Sequence, residues 1–364
     1  MTKCHIHPDT MAAVYGYETP EKLGFGRLSG PIMFWAEYMD GLWGPGTLEP
    51  TRKIELMPCA KVLHYGQEIF EGMKTYRVGQ DKASLFRPER NWQRFNQSAR
   101  RMAMPEIPQD LFMEGVYRVA AYCENIIPGG SGQSLYLRPF MIATEPSLEV
   151  TGSDRFAYMV IASPSEAIQL NPMSVLIERE YTRAALGGTG GVKTGGNYAA
   201  SFASRTHAQS LGFDQSLWLD PNDRRNIEEL SVMNFFAVVD GQLLTPTPTG
   251  SLLEGVTRAS IIELAGEMGL EVSQQALDID RLIEQIKDGR CSEAFCCGTA
   301  AIVNPIRELG EHDGSRYALA NPEGEISVAL KQRLLDIQER RAEGPAGWVH
   351  DIPAEFYPPQ PVSD

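Results

Sequence analysis

The chain has 364 residues, of which 43% are hydrophobic and 22% are charged, and its formal net charge is -14 at pH 7. This composition is typical of a globular protein large enough for two domains, and it excludes a disordered or collagen-like chain. The acidic balance argues against nucleic acid as a partner, because binding to a phosphate backbone needs clustered Lys and Arg.

The six cysteines form no C-x-x-C pair, and their low density indicates reduced thiols in a cytoplasmic protein rather than a disulfide scaffold. The first eleven residues contain Pro8 and no apolar core, so we predict no signal peptide. Because no apolar run is long enough for a membrane span, we predict no membrane partner. We also predict no metal site.

The first half of the chain mixes helices with strands. Two helices are predicted by apolar residues that recur every three or four positions, at 92–102 and 112–126. Three strands are predicted by apolar runs at 134–145, 156–163 and 175–180. Asn171-Pro172 interrupts this pattern within 169–174. We therefore predict a small N-terminal α+β domain, an interdomain linker and a larger C-terminal α/β domain, at 1–170, 171–182 and 183–364.

The second half begins with a glycine-rich loop, GGTGGVKTGG, at 187–196. We predict that a helix, a strand and a hairpin with a tight Asp240-Gly241 turn follow, the first two at 198–211 and 216–220. An amphipathic helix is predicted at 256–268, and Gly269 is placed to end it. The buried side of this helix is expected to contain Ile261, Ile262, Leu264, Ala265 and Met268.

Lys193 is the first candidate for chemistry because it lies in the glycine-rich loop, just before a predicted helix. Glycines let a backbone adopt positive φ and pass close to a ligand. A phosphate-binding P-loop is rejected, because Val192 stands where that motif requires glycine and no strong apolar strand leads into the loop. The other alternative is an ordinary lysine in a solvated loop.

Acidic and anion-binding candidates follow along the chain. Glu228 and Glu229 precede an apolar run, where a buried acid needs a partner; a turn position facing water is the alternative, more so for Glu228. Two stretches of small residues could offer N–H and hydroxyl donors to an anion, or could be no more than helix starts and turns: Gly255, Val256 and Thr257, and Gly298 and Thr299.

Arg138 lies within an apolar strand, where its charge must be paired or face a cleft, and a carboxylate suits the geometry of a guanidinium. Tyr136 points to the same side because strand side chains alternate. Together the candidates supply what a pyridoxal-phosphate (PLP) site needs. These are a lysine for a Schiff base, an acid for the pyridine nitrogen, donors for the phosphate and a cation for a substrate carboxylate.

The same residues lie in blocks that resemble the class IV, fold-type IV PLP aminotransferases, and most closely the branched-chain amino-acid aminotransferases. The resemblance runs from about Gly30 to about Gln338. It rests on several blocks in order: HYGQEIFEGMKTYR, LFRPERNWQRF, YLRPFMIATEPSLEV, GGTGGVKTGGNYAAS, EELSVMNFF, GSLLEGVTR and CCGTAA. It implies a two-domain fold of the D-amino-acid-aminotransferase type with the cofactor at the domain interface, and a homodimer or a higher assembly of dimers.

The resemblance also implies a role for each matching residue. Lys193 would hold PLP as a Schiff base and move the substrate proton, Tyr198 would bind the cofactor O3′, and Glu229 would pair with the pyridine nitrogen. The phosphate would be bound by Arg94, Val256, Thr257 and Thr299. The substrate would be bound by Tyr65, Phe70, Tyr136, Arg138 and the backbone at Ala300, with Leu148 and Val150 reaching into the neighbouring subunit's pocket.

The implied reaction transfers amino groups from leucine, isoleucine and valine to 2-oxoglutarate, with Arg138 answering the glutamate carboxylate, aided by the Tyr65 hydroxyl. Some positions depart from the family pattern: Ile168 replaces a pocket tyrosine, Val232 replaces a small residue or a threonine, and Glu254 replaces a proline. These departures leave open an aromatic or specialised-metabolism donor. The YLRPF and EPSL blocks argue against a D-amino-acid transaminase or a class IV lyase. The rejected P-loop argues against a non-catalytic nucleotide binder.

Overall fold

The computed structural model describes residues 4–79, 82–168 and 171–359. The chain divides into two units, one formed by Met1–Ile168 with Asp336–Asp364 and the other by Gln169–Leu335. Each unit is built around its own β-sheet.

The described residues form these strands, in chain order: β1 His5–Ile6, β2 Ile32–Met39, β3 Leu42–Trp43, β4 Thr47–Pro50, β5 Glu68–Phe70, β6 Met73–Val78, β7 Lys82–Phe86, β8 Ser134–Ala143, β9 Phe156–Ser165, β10 Met173–Glu178, β11 Gln215–Leu219, β12 Ile227–Leu230, β13 Asn234–Val239, β14 Gln242–Pro246, β15 Val272–Gln275, β16 Cys291–Gly298, β17 Ile302–Gly310, β18 Arg316–Ala318 and β19 Val349–Asp351. The helices are α1 Thr10–Tyr15, α2 Lys61–Tyr65, α3 Pro88–Arg101, α4 Gln109–Tyr122, α5 Gly195–Ala199, α6 Phe202–Ser210, α7 Val256–Glu267, α8 Ile279–Lys287 and α9 Glu325–Gln338. Short 3-10 helices lie at Glu124–Ile126 and Ala354–Phe356.

The sheet of the first unit has the strand order β1-β4-β2-β9-β8-β6-β7-β19, with β3 paired to β2 and β5 to β8. Along β8, buried and half-buried residues alternate, so one face of this strand packs on the core and the other is open for a site. The core contains an aromatic cluster in which the rings of Phe112 and Tyr158 are stacked with centroids 5.7 Å apart, and Phe34 and Phe95 contact Tyr158 edge-on.

The sheet of the second unit has the order β12-β11-β10-β17-β16-β13-β14-β15, with β18 paired to β17. Because β12 also pairs with β13, the six strands from β12 through β13 in this order close into a barrel. Every residue of β10 and β13 is buried, and Phe236 stacks on Phe295 with centroids 5.0 Å apart.

Most predicted elements are confirmed. The three strands of the first half are β8, β9 and β10, and the two early helices are α3 and α4. The predicted hairpin joins β13 to β14, where Asp240 and Gly241 have φ of 51° and 82°, as a tight turn requires.

Two details of the second half were wrong. The helix expected at 198–211 is two helices, α5 and α6, and the break falls where the Ser201 hydroxyl donates to the Tyr198 carbonyl at 2.7 Å and competes with the helical bonds. On α7, Ile261, Leu264 and Ala265 are buried and Ile262 is half-buried, but Met268 is 43% exposed because the helix ends before it.

The division into units differs from the predicted domains at two places. The predicted linker, 171–182, contains β10, whose six buried residues lie between β11 and β17 and therefore belong to the barrel. Gln169 and Leu170, where the interruption was expected to begin, lie outside the described residues. The C-terminal part of the chain returns to the first unit, because β19 pairs with β7 and Trp348 is buried there against Phe86. The first unit, predicted to be the smaller, therefore has more residues than the second.

Candidate functional site

Lys193 and Tyr198 form a contact at the start of α5. The Lys193 Nζ donates to the Tyr198 hydroxyl at 2.6 Å and lies 5.1 Å from the centre of the tyrosine ring. Both side chains are half-buried, so the amine is partly shielded from water and remains accessible. The alternative of a lysine in a solvated loop is wrong.

The glycine-rich loop is held by close packing rather than by unusual backbone angles. Within 187–196, all of which is described, only Gly187 has a positive φ. A Cβ on Gly190 would lie 2.1 Å from the Ser251 carbonyl oxygen, so only glycine permits this approach. Asn197 donates to the carbonyls of Thr189 and Val192 at 2.7 and 2.8 Å, and thereby ties the loop to α5 between Lys193 and Tyr198.

Glu229 is a buried carboxylate on β12 in the same unit as Lys193. It is 4% exposed, forms an ion pair with Arg183 at 2.7 Å and accepts from the Leu253 N–H at 3.0 Å. Burial raises the pKa of Glu229 to about 7, although Arg183 and Lys193 both act to lower it. Glu229 therefore changes between its neutral and ionised forms near pH 7, and a further positive N–H partner would favour the ionised form.

Arg183 was not predicted from the sequence, and it joins three parts of this site. Its Nη2 donates to the Gly190 carbonyl at 2.8 Å and to the Ser251 carbonyl at 2.6 Å, and it forms the ion pair with Glu229. One buried guanidinium thus connects the loop of Lys193 with the acid on β12 and the loop before α7. No spacing or motif in the sequence singles out this arginine.

Glu228 is also buried, so the water-facing alternative is wrong for both glutamates. Its carboxylate accepts from the hydroxyls of Ser251 and Thr249, and burial raises its pKa. The two side chains point to opposite sides of β12 because neighbours on a strand alternate. Glu229 is the one that faces Arg183.

The N-terminus of α7 has the character of an anion site. Gly255 is the N-cap and offers no side-chain acceptor, and the first turn, with Val256 and Thr257, contains no acidic residue. The first N–H groups of a helix have no intrahelical partner and carry a positive dipole. Asn234, also missed from the sequence, donates to the Leu253 carbonyl at 2.7 Å and to Glu229 at 3.3 Å, which links this helix start to the buried acid.

Thr299 and Ala300 lie in the turn between β16 and β17. Ile302, where β17 begins, has a φ of 65°, which is unusual for a β-branched residue. Strained backbone of this kind concentrates at turns and ligand sites, where the surrounding structure holds it in place.

In the first unit the structure brings together Phe70, Tyr136 and Arg138. The Arg138 Nη2 donates to the Tyr136 hydroxyl at 3.0 Å, and its guanidinium lies 4.7 Å from the centre of the Phe70 ring. Phe25, which was not singled out in the sequence, packs edge-on against Tyr136 with centroids 5.0 Å apart. This half-buried group combines apolar walls with one cation.

Arg94 is 8% exposed and pairs with Glu71, whose carboxylate it contacts at 2.7 Å. It lies on α3, so the helix expected from the periodicity carries it. Arg94 is therefore a buried cation with a carboxylate partner that the sequence analysis missed, and its contact with a phosphate stays a prediction.

Tyr65 belongs to a different group from Arg138. The Tyr65 hydroxyl donates to the Leu148 carbonyl, so in this structure it is not directed at Arg138. Tyr65, Leu148 and Val150 are 42%, 60% and 85% exposed. The loop that carries Leu148 is anchored by the buried Lys61, which pairs with Glu145 at 2.8 Å.

The departures from the family pattern fall in coil and turn segments. Ile168 is half-buried just after β9, and Val232 is 45% exposed in the turn between β12 and β13. Cys296 and Cys297 are buried and burial raises the pKa of both thiols, so they are packed and unreactive.

Across the residues that the structure describes, no cluster of three or more His, Cys, Asp or Glu side chains is arranged to bind a metal ion. Within the same residues, no helix has the length and apolar character needed to span a bilayer.

Comparison with known proteins identifies the family. The family model "Amino-transferase class IV" matches residues 68–309, which include Lys193, Glu229, Arg94 and the turn at Thr299. The chain therefore belongs to the class IV amino-transferase family and is an aminotransferase.

The relatives carry a narrower description. The branched-chain-amino-acid transaminase 1 of Bacillus subtilis is 39% identical over 338 residues, which cover 92% of this chain and 95% of the relative. The branched-chain-amino-acid aminotransferase of Mycolicibacterium smegmatis is 42% identical over 90% of this chain and 91% of its own length. The crystal structure of the Escherichia coli branched-chain amino acid aminotransferase has a TM-score of 0.71 at 27% identity, covering 87% of this chain and 98% of that one. The predicted family and fold-type IV architecture are confirmed.

Proposed function

We propose that this aminotransferase uses PLP to transfer amino groups from the branched-chain L-amino acids leucine, isoleucine and valine to 2-oxoglutarate. The observation that carries the proposal is the contact between Lys193 and Tyr198, in the same unit as a buried glutamate whose pKa is about 7. The names of the B. subtilis and M. smegmatis relatives support the choice of substrate.

The residues of the second unit fit PLP. The half-buried Lys193 provides an amine for a Schiff base, and the Tyr198 hydroxyl beside it is a partner for a phenolic oxygen. Glu229 is a buried acid whose ionised form a further cationic N–H would stabilise, and the uncapped start of α7 suits a phosphate. When bound, PLP supplies an electron sink that makes the substrate Cα–H acidic.

Lys193 has two tasks in this proposal. Its Nζ would hold the cofactor between turnovers, and the same nitrogen, when free, would take the proton from the substrate Cα. The Tyr198 hydroxyl, 2.6 Å from that nitrogen, keeps the amine pointed at the site.

Glu229 is proposed to hold a proton on the pyridine nitrogen. Burial raises its pKa, and a cationic N–H at this position would further favour the ionised carboxylate. Arg183 fixes the carboxylate in place while it also donates to the Gly190 carbonyl of the Lys193 loop. One side chain therefore holds both the acid proposed for the pyridine nitrogen and the loop that carries Lys193.

The phosphate is assigned to Arg94, to the N–H groups of Val256 and Thr257, and to Thr299. Helix N-termini and arginines are the usual phosphate ligands in proteins, because both present N–H donors with positive charge. Arg94 is already fixed by its pair with Glu71.

The substrate is assigned to Phe70, Tyr136, Arg138 and the backbone at Ala300. An apolar wall suits a branched side chain, and the Arg138 guanidinium suits the side-chain carboxylate of glutamate and 2-oxoglutarate. Tyr65, Leu148 and Val150 are exposed apolar residues of one subunit that we propose contact the pocket of the partner in a homodimer, or in a larger assembly of such dimers.

The test is a panel of L-amino acids as donors to 2-oxoglutarate, with glutamate formation as the readout and Lys193→Ala as the inactive control. We expect turnover with leucine, isoleucine and valine, and a visible cofactor band that Lys193→Ala does not show. Turnover restricted to aromatic or other amines would mean that the substrate assignment fails while the chemistry holds. Full activity of Lys193→Ala would contradict the assignment of the base.

A further inference from the structure

Glu71 is a fully buried carboxylate in the segment between β5 and β6. Its two oxygens accept hydrogen bonds that include two from Arg94, one from Asn91 and one from the Gly72 N–H. A buried charge is tolerated only when its partners satisfy it, so these hydrogen bonds are needed to hold the carboxylate in this position.

The contact with Arg94 is bidentate. The Arg94 Nε donates to Oε1 of Glu71 at 2.7 Å and its Nη2 donates to Oε2 at 2.8 Å. Two parallel bonds to one carboxylate fix the plane of a guanidinium, and therefore the direction of its other N–H bonds. Asn91, three residues earlier on α3, donates to Oε2 at 2.8 Å and strengthens the same arrangement.

Glu71 is itself fixed to the strand that carries substrate residues. Its N–H donates to the Pro139 carbonyl of β8 at 2.7 Å. The next residue, Gly72, leaves room for Tyr136, because a Cβ there would lie 2.0 Å from the tyrosine hydroxyl. The Glu71-Gly72 dipeptide therefore fixes the cation assigned to the phosphate and makes room for a tyrosine assigned to the substrate.

We propose that Glu71 is a positioning residue that sets the direction of the Arg94 guanidinium toward the cofactor phosphate. The inference rests on the proposed function, in which Arg94 binds that phosphate. It assigns to Glu71 an effect on the phosphate, because the carboxylate contacts Arg94 and Asn91 on α3 and the Gly72 N–H.

Two other roles for Glu71 predict different effects of its removal on PLP binding. If the carboxylate only neutralised Arg94, its removal would strengthen phosphate binding, because the full positive charge would then act on the phosphate. If it only stabilised the first unit, its removal would weaken all ligands alike. Positioning predicts a loss that is specific to ligands carrying the phosphate.

The experiment is a titration of the full-length apoprotein, with PLP and with pyridoxal, which lacks the phosphate. Glu71→Gln keeps the shape of the side chain and removes its charge. We expect it to weaken PLP binding about tenfold to a hundredfold, as for loss of hydrogen bonds to a charged group, and pyridoxal binding less than about threefold. Glu114→Gln, which alters a partly buried carboxylate on α4 paired with Arg118, is the matched control. Equal losses for both ligands, or tighter PLP binding, would overturn the proposal.

Coupling to Arg94 provides a second readout. A lysine cannot form the bidentate contact, so in an Arg94→Lys background Glu71→Gln should change the ratio of the two affinities less than about twofold. The same large change in both backgrounds would refute positioning. If Glu71→Gln does not fold, Asn91→Ala tests the same arrangement through one neutral hydrogen bond, with an expected loss of about threefold to tenfold for PLP only.

Measurements on the wild-type protein distinguish a failure of the proposed function from a failure of the role assigned to Glu71. A visible cofactor band that appears with PLP and is missing in Lys193→Ala supports the proposed function on its own. With that band present, a Glu71→Gln variant that matches the wild type overturns only the role of Glu71. A wild-type protein that binds neither ligand overturns both.

Discussion

Replacing Arg183 by methionine should destabilise the protein, and the loss should be larger above about pH 7 than below it. The side chain is 7% exposed, forms an ion pair with Glu229 and donates to the carbonyls of Gly190 and Ser251. Methionine fills a similar volume and supplies none of these bonds. Since burial already raises the pKa of Glu229 to about 7, losing the cation that lowers it should raise this pKa further.

The expected magnitude differs between low and neutral pH. Below pH 4.5, Glu229 is protonated in both the folded and unfolded chains, so the variant loses only its bonds to two carbonyls, about 1–3 kcal/mol. At pH 8 the unfolded glutamate is ionised and the folded one must either bind a proton or remain as a buried charge without its partner. Because the wild-type pKa of Glu229 is about 7, the variant should lose about 1.4 kcal/mol more at pH 8 than at low pH, which is the free energy of one pH unit beyond that pKa.

The assay is urea unfolding of the apoprotein between pH 4.5 and 8, followed by circular dichroism. The difference in unfolding free energy between wild type and Arg183→Met should stay nearly constant up to about pH 7, where folded Glu229 is protonated in both proteins, and should grow above it. The double variant Arg183→Met/Glu229→Gln removes both charges and should lose most of this pH dependence. A difference that is the same at both ends of the range, or a double variant that keeps the dependence, would refute the reasoning.

Three further variants test other parts of the structure. Gly72→Ala should lower the unfolding free energy by about 1–3 kcal/mol, because its Cβ would lie 2.0 Å from the Tyr136 hydroxyl. The control Gly266→Ala, in open space on α7, should be neutral or slightly stabilising, and equal effects of the two changes would contradict this reasoning. Trp348→Ala, at 3% exposure, should cost about 3–5 kcal/mol of unfolding free energy, and a cost below about 1 kcal/mol would mean that the C-terminal segment is not part of the first unit's core. Arg138→Ala should raise KM for 2-oxoglutarate and glutamate much more than for leucine, and equal changes would remove its role as the carboxylate binder.

Local patterns predicted most of the fold. The apolar runs of β8, β9 and β10 and the periodicity of α3 and α4 needed no knowledge of the rest of the chain. The Asp240-Gly241 turn was equally local, because two residues with positive φ define it. Strand order was not accessible in this way, since pairings such as that of β10 with β17 join distant parts of the sequence.

The residues of the candidate site likewise fall into those that local sequence patterns predict and those that they do not. Lys193 and Glu229 could be predicted because a glycine-rich loop and paired acids before an apolar run are visible in the sequence. Arg183, Asn234 and Glu71 could not, since each acts through contacts with residues that only the folded chain brings near. Tyr65 was assigned beside Arg138 from the resemblance, and its bond to the Leu148 carbonyl could not be read from spacing.

The pairing of β19 with β7 has a consequence for the order in which the protein can be completed during synthesis. Val349 pairs with Phe86, so the outer edge of the first sheet stays open until nearly the whole chain has been translated. During that interval β7 presents unpaired backbone groups, which are a template for strands of other chains. The second unit, whose residues are made earlier than β19, has no such wait. Premature termination before Val349 should therefore yield chains that associate through β7 rather than chains that only lack a tail.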